Sequence, residues 1–333
     1  MSNIVTVILK RSIGVSSWLM SFRYLNRIPW NTLLLCIFLI CIVNAFSAIL
    51  DTVFNGPASL SELVQHIGVR VSESAQRLPK QGRLLCFVIT SPKFYATRTL
   101  AVNETWLPRC DHGQFFSKIE MDPTMPHSTV LRKIPDDYKF LFQKTLTSFH
   151  YAFTEISDKF DWYFKADDDT YVVMEHMYKY LATLDPSKPY YLGYMLKPHL
   201  YPYSNDGGSS FVLSRAAVKI FLEKALFDRA ICPVDKNEDR GINKCLRNIG
   251  IFPHDTRTHE GQHRFNKYGP NEIFLDTINN NHLYNRTVKG HSWIAPELIT
   301  VHHISADDIR TYDDLLYRMH SPQLSKQMDS KQT

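Results

Sequence analysis

Residues 161–171 read DWYFKADDDTY, and this stretch decides the class of fold. Residues 162–166 are apolar apart from Lys165, which is typical of a short strand buried inside a parallel sheet. Three consecutive carboxylates follow at the carboxyl end of that strand, where open α/β sheets bind their ligands. The stretch therefore predicts a buried strand that delivers an acidic cluster to the binding edge of a sheet.

The sequence around this stretch alternates between apolar strands and amphipathic helices. An apolar run at 84–89 (LLCFVI) predicts another buried strand, and apolar residues recur every three or four positions through 137–157, which predicts a helix. Further strands are predicted at 190–194, 210–213 and 298–302, and further helices at 173–184, 216–226, 239–248 and 307–319. This alternation predicts an α/β fold with a largely parallel sheet.

The acidic triplet predicts a cation site. Adjacent carboxylates repel one another unless a cation lies among them, and a hard divalent ion such as Mg²⁺ or Mn²⁺ shares oxygen ligands with substrate phosphates. Alternate residues of an extended segment face the same way, so Asp167 and Asp169 can reach one ion while Asp168 points elsewhere. His302 and His303, after a late strand, add imidazoles of the kind that bind transition metals. A solvated acidic turn is the alternative.

Two further motifs suit a binding site. Residues 206–210 (DGGSS) contain the paired glycines Gly207 and Gly208, which let a ligand approach the backbone closely or simply form a turn. Glu238 and Asp239 open a predicted helix. A carboxylate there can act as a general base, or it can merely interact favourably with the helix dipole.

The net charge of the chain is concentrated at its N-terminus. The 333 residues carry 38 Lys and Arg against 33 Asp and Glu, a net charge of +5. The first 50 residues hold +4 of this, from Lys10, Arg11, Arg23 and Arg27, and contain no acidic residue. The nearly neutral remainder lacks a basic footprint, so we expect no nucleic-acid partner.

A charge-free run at 32–50 predicts a membrane anchor. Of its 19 residues 16 are apolar, and a membrane-spanning helix needs about 20 such residues. The basic flank predicts a cytosolic tail at 1–31 and translocation of the rest, although a cleaved signal peptide is the alternative. The polar segment at 51–82 is interpreted as a stem. We expect one lumenal domain at 83–320 and a C-terminal tail at 321–333.

Cysteines and sequons agree with an oxidising lumen. Four cysteines lie beyond the apolar run: Cys86, Cys110, Cys232 and Cys245. An even number indicates two disulfides, and proximity in sequence pairs the first with the second and the third with the fourth, among three possible connectivities. Glycosylation sequons begin at Asn103 and Asn285.

Taken together, these motifs resemble the core 1 β1,3-galactosyltransferase group of glycosyltransferase family 31, which is related to the Fringe enzymes. The resemblance runs from about 84 to 319. Residues 161–171 match the family's D-W-[FY]-x-K-A-D-D-D-T-Y, and residues 207–214 are similar to its G-G-x-G-Y-V-L-S. Glu238-Asp239 together with Lys244-Cys245 match E-D-x-x-x-G-[KR]-C, and residues 300–303 fall where the family has S-F-H-Y.

The resemblance implies a GT-A fold and an inverting transfer of galactose from UDP-galactose. The acceptor would be the 3-hydroxyl of N-acetylgalactosamine O-linked to a glycoprotein. Asp167, Asp169 and His302 would hold Mn²⁺, in preference to Mg²⁺, and Asp239 would be the general base. The residues expected on the donor side are Asp168, His303, Gly207 and Gly208. The resemblance also implies a homodimer in the Golgi membrane, anchored as a single-pass type II protein.

The sequence departs from the family pattern mainly on the acceptor side. Asn243 replaces the glycine of E-D-x-x-x-G, and Ser210 replaces the third glycine of G-G-x-G. An adjacent cysteine pair becomes Trp293-Ile294, and the aromatic tract associated with the acceptor becomes NNNH at 279–282. Two alternatives therefore stay open. One is a family 31 transferase with another acceptor or UDP-sugar, and the other is a catalytically silent partner of an active transferase.

Overall fold

The described part of the chain, in this computed structural model, comprises residues 29–54, 59–196, 205, 210–275 and 290–319. These residues divide into two compact units, separated after Gly56. The first unit contains helix α1, Trp30–Phe54. Across the described residues, no helix is both long and apolar enough to cross a membrane. The span at 32–50 therefore stays a prediction.

The second unit is built on two sheets. Its strands in chain order are β1 (Gly82–Ile89), β2 (His112–Phe116), β3 (His127–Ser128), β4 (Phe160–Asp167), β5 (Tyr171–Val172), β6 (Tyr191–Gly193), β7 (Phe211–Ser214), β8 (Pro253–His254), β9 (Phe265–Asn266) and β10 (Thr300–Val301). The larger sheet has the order β3-β2-β1-β4-β7-β6-β8, and the smaller one the order β5-β10-β9. In the larger sheet only β7 runs antiparallel to its neighbours among the described strands. This arrangement confirms a mixed, mainly parallel α/β fold.

The described part of the second unit also contains nine α-helices. They are α2 (Leu60–Leu63), α3 (Glu73–Gln76), α4 (Leu100–Glu104), α5 (Leu141–Tyr151), α6 (Met174–Leu181), α7 (Arg215–Lys224), α8 (Glu238–Asn248), α9 (Pro270–Phe274) and α10 (Ala306–Tyr317). Short 3-10 turns lie at Pro92–Phe94, Leu107–Arg109, Tyr138–Phe140 and Gly290–Trp293, and π turns lie at Tyr95–Thr99 and Ala152–Ile156. The helix predicted at 137–157 is thus one 3-10 turn, α5 and one π turn in succession.

Strand β4 lies at the centre of the sheet, between the parallel β1 and the antiparallel β7. Trp162 and Phe164 pack into the core on one face, and Tyr163 packs on the opposite face with Phe142 of α5. Burial on both faces explains the nearly unbroken apolar run in the sequence. Because β1 and β4 pair in register, Ile89 lies beside Asp167 at the carboxyl edge of the sheet.

The late strand predicted at 298–302 is shorter than expected and belongs to the smaller sheet. Only Thr300 and Val301 pair, antiparallel to β5, with Thr300 opposite Val172. Sequence patterns gave no sign of β5 or β9, because two-residue strands are too short to show a period of two. The pairing matters for the site, since β5 follows the acidic triplet directly.

Both disulfides predicted from proximity are confirmed. Cys86 on β1 bonds to Cys110, and Cys232 bonds to Cys245 on α8. The second bond closes a loop across 13 positions of sequence and fastens helix α8 to the segment that precedes it.

Trp293, which stands where the family pattern has a cysteine, is buried in an aromatic stack. Its ring lies 4.5 Å from that of His263, which lies 4.8 Å from the ring of Tyr194 on its other side. Burial, reinforced by the positive charge of Arg257, lowers the pKa of His263 to about 3. The stack therefore contains a neutral imidazole at all ordinary pH values.

This neutral histidine makes stability depend on pH. In the unfolded chain His263 titrates near pH 6.5, whereas in the folded chain its pKa is lower, so the unfolded state binds more protons between these values. We expect the free energy of unfolding to be fully retained above about pH 6.5 and to fall on acidification, by at most about 1.4 kcal/mol per pH unit for this group. Chemical unfolding at a series of pH values between 7 and 4 measures this slope.

The variant His263→Phe keeps an aromatic ring and removes the titration, so its slope should be shallower. The exposed His259, changed to Phe, is the control and should leave the slope unchanged. Identical slopes for His263→Phe and the wild type would contradict the assignment.

Candidate active site

A cleft of about 480 Å³ opens at the carboxyl ends of β1 and β4. It is lined by residues from six regions of the chain, at 89–98, 136–144, 167–169, 238–239, 267 and 302–303. The sequence-predicted members of this lining are Asp167, Asp168, Asp169, Glu238, Asp239, His302 and His303. The predicted glycines Gly207 and Gly208 lie outside the described residues, as does the sequon residue Asn285.

Three side chains in the cleft can hold a metal ion. Ligand atoms of Asp167, Asp169 and His302 all lie within 4.8 Å of one another. Nδ1 of His302 lies 3.2 Å from the carbonyl oxygen of Lys267, which leaves Nε2 directed at Asp169 Oδ1, 3.1 Å away. A backbone partner on one ring nitrogen is the usual means of aiming the other at a metal. Two carboxylates and one imidazole suit a divalent transition metal such as Mn²⁺.

The smaller sheet brings His302 to the acidic triplet. The pairing of β5 with β10 aligns the chain after Asp169 with the chain before His302. The backbone N–H of Ile304 donates to the carbonyl oxygen of Asp169 at 3.4 Å, which extends this alignment past the strands. His303 follows with a left-handed backbone (φ 59°), and its ring lies 4.1 Å from that of His302 at the mouth of the cleft.

Asp168 is held by the protein and does not belong to the ligand group. Its Oδ2 accepts a hydrogen bond of 2.7 Å from the Thr90 hydroxyl at the end of β1. Burial raises the pKa of Asp168 to about 7, with a further contribution from the charges of Asp169 and Asp167, although Thr90 and Arg98 oppose the rise. A partly protonated Asp168 reduces the repulsion within the triplet.

Asp169 is kept ionised. Burial alone would raise its pKa, but the hydrogen bond and charge of His302, with help from Arg98, outweigh burial and lower it. The guanidinium of Arg98 lies 3.2 Å from Asp169 Oδ2 and 3.5 Å from Asp168 Oδ1. An ionised Asp169 is the form that a metal ligand requires.

Arg98 was not predicted from the sequence. It lies on the π turn Tyr95–Thr99, and its guanidinium packs over the ring of Phe94 at 4.4 Å. Its position along the chain could have identified it as a candidate site residue. Arg98 closely follows β1, and the carboxyl end of β1 adjoins that of β4 in a parallel sheet.

Asp239 approaches the cleft from the first turn of α8. It is partly buried, and its Oδ1 accepts a 2.7 Å hydrogen bond from the N–H of Arg240. Asn243, which replaces a glycine of the family pattern, donates its amide to the carbonyl oxygen of Asp239 at 2.6 Å and exchanges two hydrogen bonds with the backbone of Asn205. This departure from the pattern therefore braces the helix that carries Asp239.

Ser210 departs from the family pattern in residue type but not in backbone conformation. It has a φ of 66°, the left-handed region that glycine adopts without strain. Its buried hydroxyl donates to Thr170 Oγ1 at 3.3 Å, next to the acidic triplet. The turn into β7 thus keeps the geometry that the missing glycine would favour.

Comparison with known proteins gives this cleft its class, that of the glycosyltransferases. The family model described as Fringe-like matches residues 80–251, just over half of the chain, and the chain belongs to the Fringe-like family.

The relatives of this chain differ in the sugar that their names specify. It is 28% identical over 253 residues to glycoprotein-N-acetylgalactosamine 3-beta-galactosyltransferase 1 of Xenopus laevis, covering 74% of this chain and 69% of that protein. It is 27% identical over 177 residues to human beta-1,3-glucosyltransferase, covering 52% of this chain and 34%, about a third, of that protein. A solved glycosyltransferase involved in glycosylation of the PBCV-1 major capsid aligns with a TM-score of 0.41 at 14% identity, covering 70% of this chain and 100% of that one.

The metal site is testable without turnover. We expect Mn²⁺ to bind the protein, and Asp169→Asn to weaken this binding by more than about tenfold, because a neutral amide is a poor substitute for an ionised ligand. Isothermal titration calorimetry with Mn²⁺ and UDP measures the affinity. Asp307→Asn, at a carboxylate whose side chain is 97% exposed, is the control and should bind like the wild type. Equal affinities for Asp169→Asn and Asp307→Asn would remove Asp169 from the metal site.

Proposed function

We propose that the protein is a GT-A transferase that moves galactose from UDP-galactose to the 3-hydroxyl of O-linked N-acetylgalactosamine on glycoproteins, with inversion at C1. The observation that carries the proposal is the cleft itself, which places Asp167, Asp169 and His302 together with the helix-borne Asp239. The galactosyltransferase activity in the name of the Xenopus relative supports the choice of sugar and acceptor.

In this proposal some side chains of the protein act on the donor and another acts on the acceptor. Asp167, Asp169 and His302 would hold Mn²⁺, which when bound neutralises the charge that develops on the departing UDP. Asp239 takes the proton of the acceptor hydroxyl as that oxygen forms its bond to C1 of galactose. The bond from C1 to the UDP oxygen breaks in the same displacement, and its electron pair leaves with UDP.

A different donor or acceptor is the second candidate. The name of the human relative specifies a glucosyltransferase, and residues 279–282 lack the aromatic tract of the family pattern. Trp293, described above as part of a buried stack, replaces a cysteine in the same region. These observations favour a changed acceptor pocket over a changed metal site.

We also propose a single-pass type II protein of the Golgi membrane, anchored through residues 32–50, with its transferase domain in the lumen. The two disulfides support an oxidising compartment. Asn103 lies on α4 and is partly exposed, as a glycosylated residue must be. Homodimerisation and glycoprotein acceptors complete this proposal.

The decisive experiment assays the purified protein with several UDP-sugars against an O-GalNAc peptide and other acceptors. We expect galactose transfer to the O-GalNAc peptide in the presence of Mn²⁺ and none in EDTA. Transfer from another UDP-sugar, or to another acceptor, would support the second candidate. An absence of transfer with every pair would overturn the enzymatic proposal in favour of a silent partner of an active transferase.

The assignment of the base yields a separate prediction. Asp239→Asn should lower the rate of transfer by about 100-fold or more, because the amide cannot accept the hydroxyl proton, while UDP and Mn²⁺ bind as in the wild type. The measurements are kcat for transfer and calorimetric titration with UDP. Asp158→Asn, at a carboxylate with 56% exposure, is the control. Loss of UDP binding in Asp239→Asn would instead make Asp239 a donor-site residue.

A further inference from the structure

Lys165 is a buried cation between two carboxylates. Its side chain is 0% exposed, and its Nζ lies 2.8 Å from Asp167 Oδ1 and 3.1 Å from Glu238 Oε2. Burial opposes the charge on Lys165, but Asp167 and Glu238 outweigh burial and raise its pKa above the usual range. One of these carboxylates belongs to the metal group, and the other begins helix α8.

Lys165 reaches Glu238 through a mainly apolar layer. It lies on the same face of β4 as Tyr163, which packs with Phe142 of α5 and Ile242 of α8. A cation in such a layer is costly unless it is fully paired. The ion pair is therefore a specific link across the layer, and the packing of apolar side chains does not require it.

Glu238 is held from a second side. The hydroxyl of Thr145, on α5, donates to Glu238 Oε1 at 2.5 Å, and both residues are buried. The N-cap residue of α8, Asn237, makes no hydrogen bond to the helix through its side chain. The buried carboxylate of Glu238 is thus one side-chain anchor of the first turn, on which Asp239 is the next residue, and the guanidinium of Arg240, which donates to Asp235, is another.

The rest of α8 has its own anchors further along. A Cβ atom at Gly241 would lie 2.5 Å from the ring of Phe142, so this side chain of α5 packs directly on the backbone of α8 there. The Cys232–Cys245 disulfide fixes the following turn. These contacts hold the body of the helix, and the contacts of Glu238 and Arg240 hold its start.

We infer that Lys165 and Glu238, with Thr145, are positioning residues that set the first turn of α8, and with it Asp239, relative to the metal ligand Asp167. This inference rests on the proposed function. It assigns the pair a role in aligning the donor side of the cleft with the acceptor side, through a chain of contacts that runs Asp167, Lys165, Glu238, Asp239. None of the three positioning residues needs to touch substrate.

Thr145 offers the mildest test. Thr145→Val keeps the shape of the side chain and removes one hydrogen bond to Glu238, whereas Thr145→Ser retains the hydroxyl. We expect Thr145→Val to lower kcat about fivefold while the acceptor KM and the affinity for UDP with Mn²⁺ stay as in the wild type, and Thr145→Ser to retain wild-type kcat. The matched control is Thr147→Val on the same helix, since within the described residues its buried hydroxyl has no hydrogen-bond partner.

The ion pair itself is tested with the double variant Lys165→Met/Glu238→Gln. Either single variant leaves a charge buried without its partner and risks unfolding, whereas the double variant removes both charges. We expect it to fold, to bind UDP with Mn²⁺, and to lose about tenfold or more in kcat, because small displacements of a catalytic group have large effects on rate.

A structural readout separates this inference from the proposed function. Amide hydrogen exchange at 240–243 should be faster in Thr145→Val and in the double variant than in the wild type and in Thr147→Val, whether or not the protein transfers galactose. Wild-type exchange and wild-type kcat in a folded double variant would overturn the inference. Faster exchange in a protein that shows no transfer would support the positioning of α8 and count against the proposed function alone.

Discussion

The concentration of negative charge at the end of β4 is the constraint around which the rest of the site is arranged. Asp167, Asp168 and Asp169 are consecutive, and the buried Glu238 lies nearby, so the fold depends on cations placed among them. Lys165, on strand β4, supplies one cation, and Arg98, on the π turn after β1, supplies another. Removing one partner of such a buried pair typically costs about 3–5 kcal/mol. The acidic cluster therefore constrains α5, α8 and the segment after β1 together.

The position of the candidate metal ligands depends on a very small piece of secondary structure. Two residues of β10 pair with two of β5, and this alignment carries His302 to Asp169. A large sheet supplies the carboxylates and a three-stranded sheet supplies the imidazole, so the donor set is complete only when both have formed. The same edge of the fold carries the left-handed residue Ser210, whose hydroxyl ties the turn before β7 to Thr170. The site is thus assembled by backbone pairing on one side and by charge pairing on the other.

Whether a feature could be predicted from the sequence depends on how far apart along the chain its interacting residues lie. The long, periodic or unbroken elements β1, β4, α5 and α8 were predicted because their patterns are local, and the two disulfides were predicted because their cysteines are close in sequence. The contacts of Arg98 and the link from Lys165 to Glu238 were not, since they join residues that only the fold brings together. At Ser210 the residue type suggested a departure from the family pattern, whereas the backbone keeps the left-handed conformation that the pattern's glycine would favour.

The Cys232–Cys245 disulfide constrains the segment that carries Asp239 and does not enclose the candidate metal ligands. The candidate metal ligands Asp167, Asp169 and His302 lie outside the loop that this bond closes, whereas Asp239 lies inside it. Reduction of this bond alone would open the loop that holds Asp239 and leave the pairing of β5 with β10, beside the three candidate ligands, unchanged.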